Sequence, residues 1–180
     1  MKLSNFFFAA TLLMLALGGC IESEENFQPT LLAYYKPVYA SEQELFKIQV
    51  QPVRSLHDPG RIYTKGTLLI INERFKGFHL IDNADPANPK PLMFLEVPGA
   101  VNMAMQGQYL YADNVTDLIT IDLSDLQQIK EVNRQKDVFE GFKPYPLLRD
   151  VGFECVDKKK GIVVGWELAD MPSGEVECWR

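Results

Sequence analysis

The sequence predicts an all-β protein, and three observations support this fold class. Part of the chain repeats itself with a period near 41 residues. Within each repeat, short apolar runs alternate with Gly, Asn, Asp and Pro, which is typical of strands joined by tight turns. Only one short stretch carries a helix-start signal. The length of 180 residues and the hydrophobic content of 47% are those of an ordinary globular protein, for which one domain is expected.

The charge of the chain bears on its partners. Eighteen basic and 24 acidic residues give a formal net charge of −6. This sign disfavours nucleic acid as a partner, because the phosphate backbone repels an acidic surface. No phosphate-binding glycine loop and no flavin or nicotinamide fingerprint is present, so no cofactor is predicted.

Residues 1–19 are predicted to be a lipoprotein signal peptide. The positive charge of Lys2 precedes an apolar run over residues 6–17, which is too short to cross a membrane because a span takes roughly 20 apolar residues. The run ends in Leu-Gly-Gly-Cys at residues 17–20, which resembles a bacterial lipobox. The resemblance implies that Cys20 is acylated, becomes the first mature residue and holds the protein on the membrane. A plain secretory signal with an incidental cysteine is the alternative.

The residues behind Cys20 bear on localisation. Ile21 follows the cysteine, so the aspartate that signals inner-membrane retention is missing and the outer membrane is predicted. The acidic cluster of Glu22, Glu24 and Glu25 resembles an export signal of Bacteroidetes lipoproteins that are displayed on the cell surface. A solvated acidic tether gives the same pattern. Both the periplasmic face and the cell surface therefore stay open.

Residues 20–59 are predicted to form a lipid-anchored tether and one short helix. Prolines between residues 26 and 40 exclude a regular helix there, so this stretch is expected to be extended and to lie on the domain. Ser41 and Glu44 have the spacing of a capping box, which predicts a helix over Glu42–Ile48. Aromatic residues of the tether either pack over the domain or form a ligand-facing patch. They are Tyr34, Tyr35 and Tyr39.

Residues 60–135 contain the repeat. Residues 61–72 match residues 102–113 at an offset of 41, and after one deleted residue, residues 78–85 match residues 118–125 at an offset of 40. Each unit predicts four short strands, which is the pattern of a propeller blade. The residues that coincide at motif positions are Gly66, Ile81 and Asp82 in the first unit and Gly107, Ile121 and Asp122 in the second.

The coinciding residues are predicted to have structural roles. Gly66 and Gly107 can adopt the positive φ that a tight hairpin requires. Asp82 and Asp122 are placed to accept a hydrogen bond from the backbone amide two residues further on. A calcium site around Asp82 is disfavoured because the ligand spacing of a calcium-binding loop is missing, so no metal is predicted.

Two segments of the repeat, Phe78–Asp82 and Leu118–Asp122, resemble the LVIVD repeat, a β-propeller repeat of secreted bacterial proteins. Residues 72–83, 109–113 and 161–167 resemble uncharacterised Bacteroidetes lipoproteins of this type, and the resemblance covers nearly the whole mature chain. It implies a lipid-anchored propeller protein of the cell envelope and supplies no catalytic residues. The relatives continue into further blades.

Residues 136–180 are predicted to form an irregular segment and a C-terminal β-hairpin. Prolines exclude a central strand over residues 141–150. Predicted strands at Val151–Val156 and Ile162–Leu168 flank a lysine-rich turn. Two blades are fewer than the four to eight that close a propeller, so an incomplete propeller is expected. A fragment of a longer propeller protein and a small closed sandwich are the alternatives.

Two further cysteines, Cys155 and Cys178, are predicted to form a disulfide, because thiols tend to pair in the oxidising compartment that follows export. A zinc site is the weaker interpretation, since no histidine stands at ligand spacing beside either cysteine. A catalytic thiol is also disfavoured, because neither neighbourhood supplies a base.

No catalytic motif is apparent in the sequence. His57 and Asp58 are adjacent on an extended chain and point apart, no serine stands in a strand-to-helix elbow, and His79 lies inside a predicted strand. The sequence therefore favours a non-catalytic binding or scaffold module for an unidentified protein or glycan. An enzyme or accessory factor acting on an extracellular polymer is one alternative, because distant carboxylates can converge unseen. A fragment without independent function is the other.

Overall fold

The structure is a computed structural model, and it describes residues 30–139 and 145–180. These residues are mostly β, which confirms the predicted all-β class. The strands are β1 (Tyr34–Ala40), β2 (Gln49–Gln51), β3 (Pro59–Lys65), β4 (Leu68–Glu73), β5 (Gly77–Asp82), β6 (Lys90–Glu96), β7 (Met103–Gln106), β8 (Tyr109–Asn114), β9 (Asp117–Asp122), β10 (Lys130–Gln135), β11 (Gly152–Phe153), β12 (Ile162–Ala169) and β13 (Cys178–Trp179). A helix, α1 (Glu42–Leu45), follows β1, and a 3₁₀ turn spans Lys158–Lys160.

The described strands form three sheets. The first repeat sheet has the order β2-β6-β5-β4-β3, the second repeat sheet has the order β10-β9-β8-β7, and the terminal sheet has the order β12-β1-β11-β13. The second repeat sheet is the predicted antiparallel four-stranded unit. The first contains the predicted four strands and also β2, which pairs with β6 from outside the repeat. This fifth strand covers the outer edge of the unit, where backbone groups would otherwise be unpaired.

The turns of the two repeat sheets follow the sequence prediction. Gly66 and Gly107 join the first two strands of each unit with φ values of 58° and 59°. Asp82 Oδ1 accepts a hydrogen bond from the Ala84 amide at 2.9 Å, and Asp122 Oδ1 accepts one from the Ser124 amide at 2.9 Å. The motif residues therefore close equivalent turns in both units.

The main core lies between the two repeat sheets. Its fully buried side chains come from one face of each sheet: Ile70, Phe78, Leu80 and Leu95 from the first, and Leu110, Ile119 and Ile121 from the second. Polar links join the inner strands β3 and β7 alongside this core. The Arg61 guanidinium donates to Asn102 Oδ1 at 2.9 Å, and the Lys65 ammonium donates to the Gly107 carbonyl.

The short helix α1 begins with the predicted capping box. The Ser41 hydroxyl accepts from the Glu44 amide, and a carboxylate oxygen of Glu44 accepts from the Ser41 amide at 2.8 Å. The bond from Ser41 lowers the pKa of Glu44. The helix ends at Leu45, three residues before the predicted end, because β2 already begins at Gln49 and the chain must turn to reach it.

The predicted C-terminal hairpin is wrong in its pairing. Strand β12 has the predicted position, but β1 lies between it and β11, so the two C-terminal strands do not pair with each other. Tyr34 pairs with Ala169 on the antiparallel side and with Gly152 on the parallel side. The segment predicted to be a tether thus supplies an interior strand of the terminal sheet, which joins parts of the chain that the sequence assigned to separate regions.

Proline in an interior strand needs an explanation, because it has no amide to donate to a neighbouring strand. Pro37 lies in β1 opposite Trp166 of β12. On the other side of β1, strand β11 pairs only with Tyr34 and Tyr35. At Pro37 this side of β1 therefore has no partner strand among the described residues.

The disulfide prediction also agrees with the structure, since Cys155 and Cys178 are at bonding distance with Cα atoms 5.3 Å apart.

Candidate binding cleft

A cleft opens where the terminal sheet meets the turn between β4 and β5. This turn consists of Arg74, Phe75 and Lys76, and Phe75 has a φ of 66°. Positive φ at a bulky residue is uncommon and persists only when the surroundings hold it. The Phe75 amide donates to the Ala100 carbonyl at 2.8 Å, and the Gly99 amide donates to the Phe75 carbonyl at 2.8 Å. These two hydrogen bonds fix the turn that presents the phenyl ring to the cleft.

Strand β12 approaches the same ring closely. A methyl group added at Gly165 would lie 3.0 Å from Cβ of Phe75, which is tighter than ordinary van der Waals contact. Glycine at this position therefore permits the approach of the strand to the turn. The next residue, Trp166, lines the cleft beside the phenyl ring.

The cleft has a volume of about 370 Å³ and a mixed lining. It combines aromatic side chains, apolar side chains of the segment before β11, and one charged pair. These residues are Tyr35, Phe75 and Trp166, then Pro146, Leu147 and Leu148, then Asp58 and Arg74. Ligand pockets in proteins commonly have this character, with a mostly apolar wall and a few polar groups that set orientation. We call this cavity the aromatic cleft.

The charged pair of the aromatic cleft is held by two bonds. Arg74 Nη1 lies 2.5 Å from Asp58 Oδ1, and the Arg74 amide donates to the Asp58 carbonyl at 3.0 Å. Their side chains are 40% and 55% exposed, respectively. A pair this exposed contributes at most about 1 kcal/mol to stability. Its donors and acceptors face solvent and are accessible to a bound ligand.

The aromatic residues of the cleft that lie on the terminal sheet contact a neighbouring residue of that sheet, Phe153. The ring of Trp166 makes an edge-to-face contact with Phe153, with ring centroids 5.2 Å apart. Phe153 lies opposite Cys178, which is disulfide-bonded to Cys155. The disulfide therefore fixes the strand pair that supports the tryptophan. Tyr35, which pairs with Phe153 in the sheet, completes the wall.

A second cavity, on the other side of the turn, is lined by both apolar and charged side chains. It has a volume of about 460 Å³ and places basic and acidic side chains together. They are Lys47, Arg54 and Lys76, with Glu44 and Glu96. Gln49 and Gln51 donate to Glu96 Oε2 at 2.5 and 2.8 Å, so this carboxylate is already bonded. The cavity has charges of both signs and shows no preference for an anion or a cation.

A carboxylate and a histidine also meet in the first repeat sheet. Glu73 Oε2 lies 2.7 Å from His79 Nε2, and Arg54 Nη2 donates to Glu73 Oε1 at 2.8 Å. The Glu73 side chain is 0% exposed and that of His79 is 8% exposed. A general acid or base must reach the proton that it transfers. This enclosed pair cannot do so and serves to satisfy polar groups in the sheet.

The second repeat sheet has its own buried polar cluster. Arg134 donates to Asp117, Asn114 and Glu131 at 2.6 to 2.8 Å, and its guanidinium stacks 4.7 Å from the ring centroid of Phe46. Burial lowers the pKa of Arg134, but the hydrogen bonds that it donates to Glu131 and Asp117 outweigh burial, so the net direction is upward. The polar groups of this cluster bond to one another, so the cluster has a structural role.

None of the residues singled out from the repeat motif lines the aromatic cleft. Gly66, Gly107, Asp82 and Asp122 lie at the ends of the strands opposite to the turn that carries Phe75. Ile81 is half-buried and Ile121 is buried in the core. Cys20 lies outside the described residues.

The sequence interpretation identified part of the cleft and missed the rest. Tyr35 belongs to the tyrosine group for which a ligand-facing patch was one alternative, and it lines the aromatic cleft. The Tyr39 hydroxyl instead accepts from the Asp157 amide at 2.8 Å. Trp166, Phe75 and Arg74 carry no signal of their own in the sequence, because they meet only where the terminal sheet packs against the turn between β4 and β5.

Comparison with known proteins adds no assignment. No protein-family model, no curated protein and no solved structure shows a significant match to this chain. The LVIVD resemblance therefore stays a prediction. Within residues 30–139 and 145–180, no group of three or more His, Cys, Asp or Glu side chains is arranged to hold a metal ion. In the same ranges no helix is long and apolar enough to span a bilayer.

Proposed function

We propose that this protein is a lipid-anchored, non-catalytic binding module of the bacterial cell envelope and that the aromatic cleft binds a glycan. The proposal of anchoring rests on the lipobox-like residues 17–20 and the acylation of Cys20. The proposal of binding rests on the aromatic cleft. The observation that carries it is the convergence of Tyr35, Phe75 and Trp166 beside an exposed Asp58–Arg74 pair.

The chemistry of the lining favours a sugar. A pyranose ring has a C–H face, which packs on aromatic rings, and a rim of hydroxyl groups, which exchange hydrogen bonds with charged side chains. Tyr35 and Trp166 are partly exposed and supply the aromatic surface. Arg74 donates and Asp58 accepts, so the pair serves both roles that a hydroxyl can take. A volume of about 370 Å³ is within the range of small-molecule sites.

Fluorescence of Trp166 tests the glycan proposal. The chain has two tryptophans, so Trp179→Phe leaves Trp166 as the single reporter. We expect its emission to shift on titration with at least one of cellotetraose, maltotetraose and N-acetylglucosamine tetrasaccharide. Asp58→Ala and Tyr35→Ala should each weaken binding about tenfold, which corresponds to the loss of one good contact. Leu92→Ala, an exposed change outside the cleft, is the matched control.

The sugars distinguish possible sources of the ligand. A response to N-acetylglucosamine tetrasaccharide alone would indicate a glycan of the envelope itself, and a response to the glucose polymers would indicate foreign polysaccharide. No response of Trp166 to any of the three sugars would overturn the glycan proposal.

Anchoring is tested separately in cells. Cys20→Ser should leave the chain unacylated and shift it from the detergent phase to the aqueous phase, because the acyl chains supply its membrane affinity. Continued partitioning into detergent would contradict the lipoprotein proposal. Protease treatment of intact cells then distinguishes the surface, where the chain is digested, from the periplasmic face, where it is protected.

A further inference from the structure

The two repeat sheets pack face to face, and each also has an outward face that points away from their shared core. In an antiparallel sheet, paired residues lie on the same face and neighbours along a strand lie on opposite faces. Leu69 pairs with Ile81, and Ile71 pairs with both His79 and Ile62. These residues alternate with the core residues and therefore form the outward face of the first repeat sheet.

The outward face of the second repeat sheet is defined in the same way. Tyr111 pairs with Thr120, and Thr120 pairs with Asn133 of β10. Leu118 and Tyr109 are two residues away along the same strands, so they share this face. The core residues of this sheet point in the other direction, toward the first repeat sheet.

The repeat relates each outward face to the inward face of the other sheet. At the offsets of 41 and 40, Leu69 matches Leu110 and Ile81 matches Ile121. Leu110 and Ile121 are 0% exposed because they pack against the first repeat sheet. Leu69 and Ile81 are half-buried only, and Ile62 beside them is 64% exposed. Among the described residues, Leu69, Ile81 and Ile62 thus form an accessible copy of part of the surface that the second sheet buries. His79 and Phe94 on the same face are buried, with the Arg54 guanidinium 4.5 Å from the Phe94 ring centroid.

The outward face of the second repeat sheet is related in the same way to the inward face of the first repeat sheet. Tyr111 matches Ile70, and Leu118 matches Phe78. Ile70 and Phe78 are 0% exposed in the shared core, whereas Tyr111 and Leu118 are half-buried. Among the described residues, Tyr111 and Leu118 thus form an accessible copy of part of the surface that the first sheet buries, with the buried Thr120 between them. Repeat units that stack in this way bury their apolar faces against successive neighbours.

We propose that the outward face of the first repeat sheet in one copy of this protein binds the outward face of the second repeat sheet in another copy. The contact continues the interface that the two sheets already form within one chain. It places repeat equivalents of some of the core residues together, so apolar packing of the same kind stabilises it. This association is independent of the glycan proposal, because the aromatic cleft uses neither face.

The composition of both faces suits such an interface. Charged residues make up 23% of the chain, and those of the two faces lie at the margins: Glu73, bonded to Arg54 and His79, on the first face, and Asp113 and Asp122 on the second. The central positions are Ile62, Leu69, Ile71 and Ile81 in one sheet and Tyr109, Tyr111, Leu118 and Thr120 in the other. Depletion of charge with enrichment of tyrosine is the signature of interface cores. The carboxylate of Asp113, at the margin, already accepts from the Val101 and Asn102 amides.

The two faces differ, so the association is head-to-tail rather than two-fold. Each copy in a pair keeps one face free, and further copies add until a ring closes or growth stops. The proposal therefore predicts assemblies larger than a dimer, which an association through two identical faces does not produce.

Sedimentation of the full mature chain in detergent micelles tests the proposal. We expect concentration-dependent assemblies for the unmodified chain. Ile62→Glu blocks one face and Asn133→Arg blocks the other, and both positions are exposed, so folding should be retained. Each variant alone should associate at least about tenfold more weakly, because an unpartnered charge is desolvated in the contact. An equimolar mixture should form a 1:1 dimer and nothing larger, since each variant keeps one intact face.

A control and three outcomes complete the experiment. Leu168→Glu, which changes a 71% exposed residue of the terminal sheet, should associate as the unmodified chain does. Thermal unfolding of every variant verifies the fold. A monomer at every concentration overturns the proposal. So does association that survives both face substitutions, and so does a mixture that stays monomeric while each variant is folded.

Discussion

The two repeat sheets share four equivalent strands, the glycine turns and the aspartate turns, yet equivalent residues have different surroundings. Ile70 is fully buried, whereas its equivalent Tyr111 is half-buried. Leu69 is half-buried, whereas its equivalent Leu110 is fully buried. The repeated sequence determines the backbone of each unit, and the neighbouring sheet determines which face becomes core.

The turns nearest to the terminal sheet show a second difference. Three residues connect β4 to β5, whereas Val115 and Thr116 alone connect β8 to β9. The first turn therefore has one more residue than the second, which explains why the offset between matching residues of the two repeats changes from 41 before the turn to 40 after it. Both turns contain a non-glycine residue with positive φ, namely Phe75 and Val115. The longer turn is the one that contributes Arg74 and Phe75 to the aromatic cleft.

Truncation of equivalent core positions should give the largest contrast between the units. Phe78→Ala should lower the free energy of unfolding by about 3–5 kcal/mol, because it leaves a cavity at a fully buried site. The equivalent change Leu118→Ala should cost only about 1 kcal/mol, since Leu118 is only half-buried in a single chain. Urea unfolding at low protein concentration measures both. Equal losses would contradict the assignment of inward and outward faces.

The buried polar clusters should differ by a smaller amount. Glu73→Ala should cost about 3 kcal/mol, because both His79 and Arg54 lose the carboxylate that they share. Asp117→Ala should cost about 1–2 kcal/mol, because Arg134 keeps Glu131. Thermal unfolding of the two variants at one pH makes the comparison. A greater loss for Asp117→Ala would show that the second cluster is the more tightly coupled one.

Substitution of the turn glycine should lower the free energy of unfolding equally in the two units. Gly66→Ala and Gly107→Ala should each cost about 1 kcal/mol, the price of a left-handed conformation with a Cβ atom. No atom within 4 Å meets the added methyl group at either position, so strain is the only contribution. Denaturant midpoints of both variants measure it. A difference above the error of the fit would mean that the two turns are not equivalent.

The aspartate turns should give the smallest effect, visible in acid. Hydrogen bonds from the backbone and side chain of Ser124 lower the pKa of Asp122, and those from Asn88 and Ala87 lower the pKa of Asp85. A lowered folded-state pKa stabilises the fold above the unfolded value near 3.9, and this stabilisation is lost as pH falls through the folded pKa. Carboxyl NMR titration measures the shift directly. An Asp122 pKa at or above 3.9 would contradict the bond to Ser124.

Local features were predictable because they depend on neighbours in the sequence. The capping box at Ser41, the positive φ at Gly66 and the aspartate turn at Asp82 each arise within a few residues of chain. The pairing of β1 with β12 was not predictable in this way. Tyr34 and Ala169 are far apart in sequence. From local signals alone, β12 could equally have paired with β11, which precedes it in the chain.

The sequence by itself determined the all-β class, the two repeat units, their turns and the pair of cysteines, because hydrophobic alternation and turn chemistry act locally. Tertiary structure decided which face of each unit is buried, since burial depends on the sheet that packs against it. It also decided the position of the aromatic cleft. Tyr35, Phe75 and Trp166 come from three distant parts of the chain and meet only because an N-terminal strand enters a C-terminal sheet and that sheet packs against a strained turn.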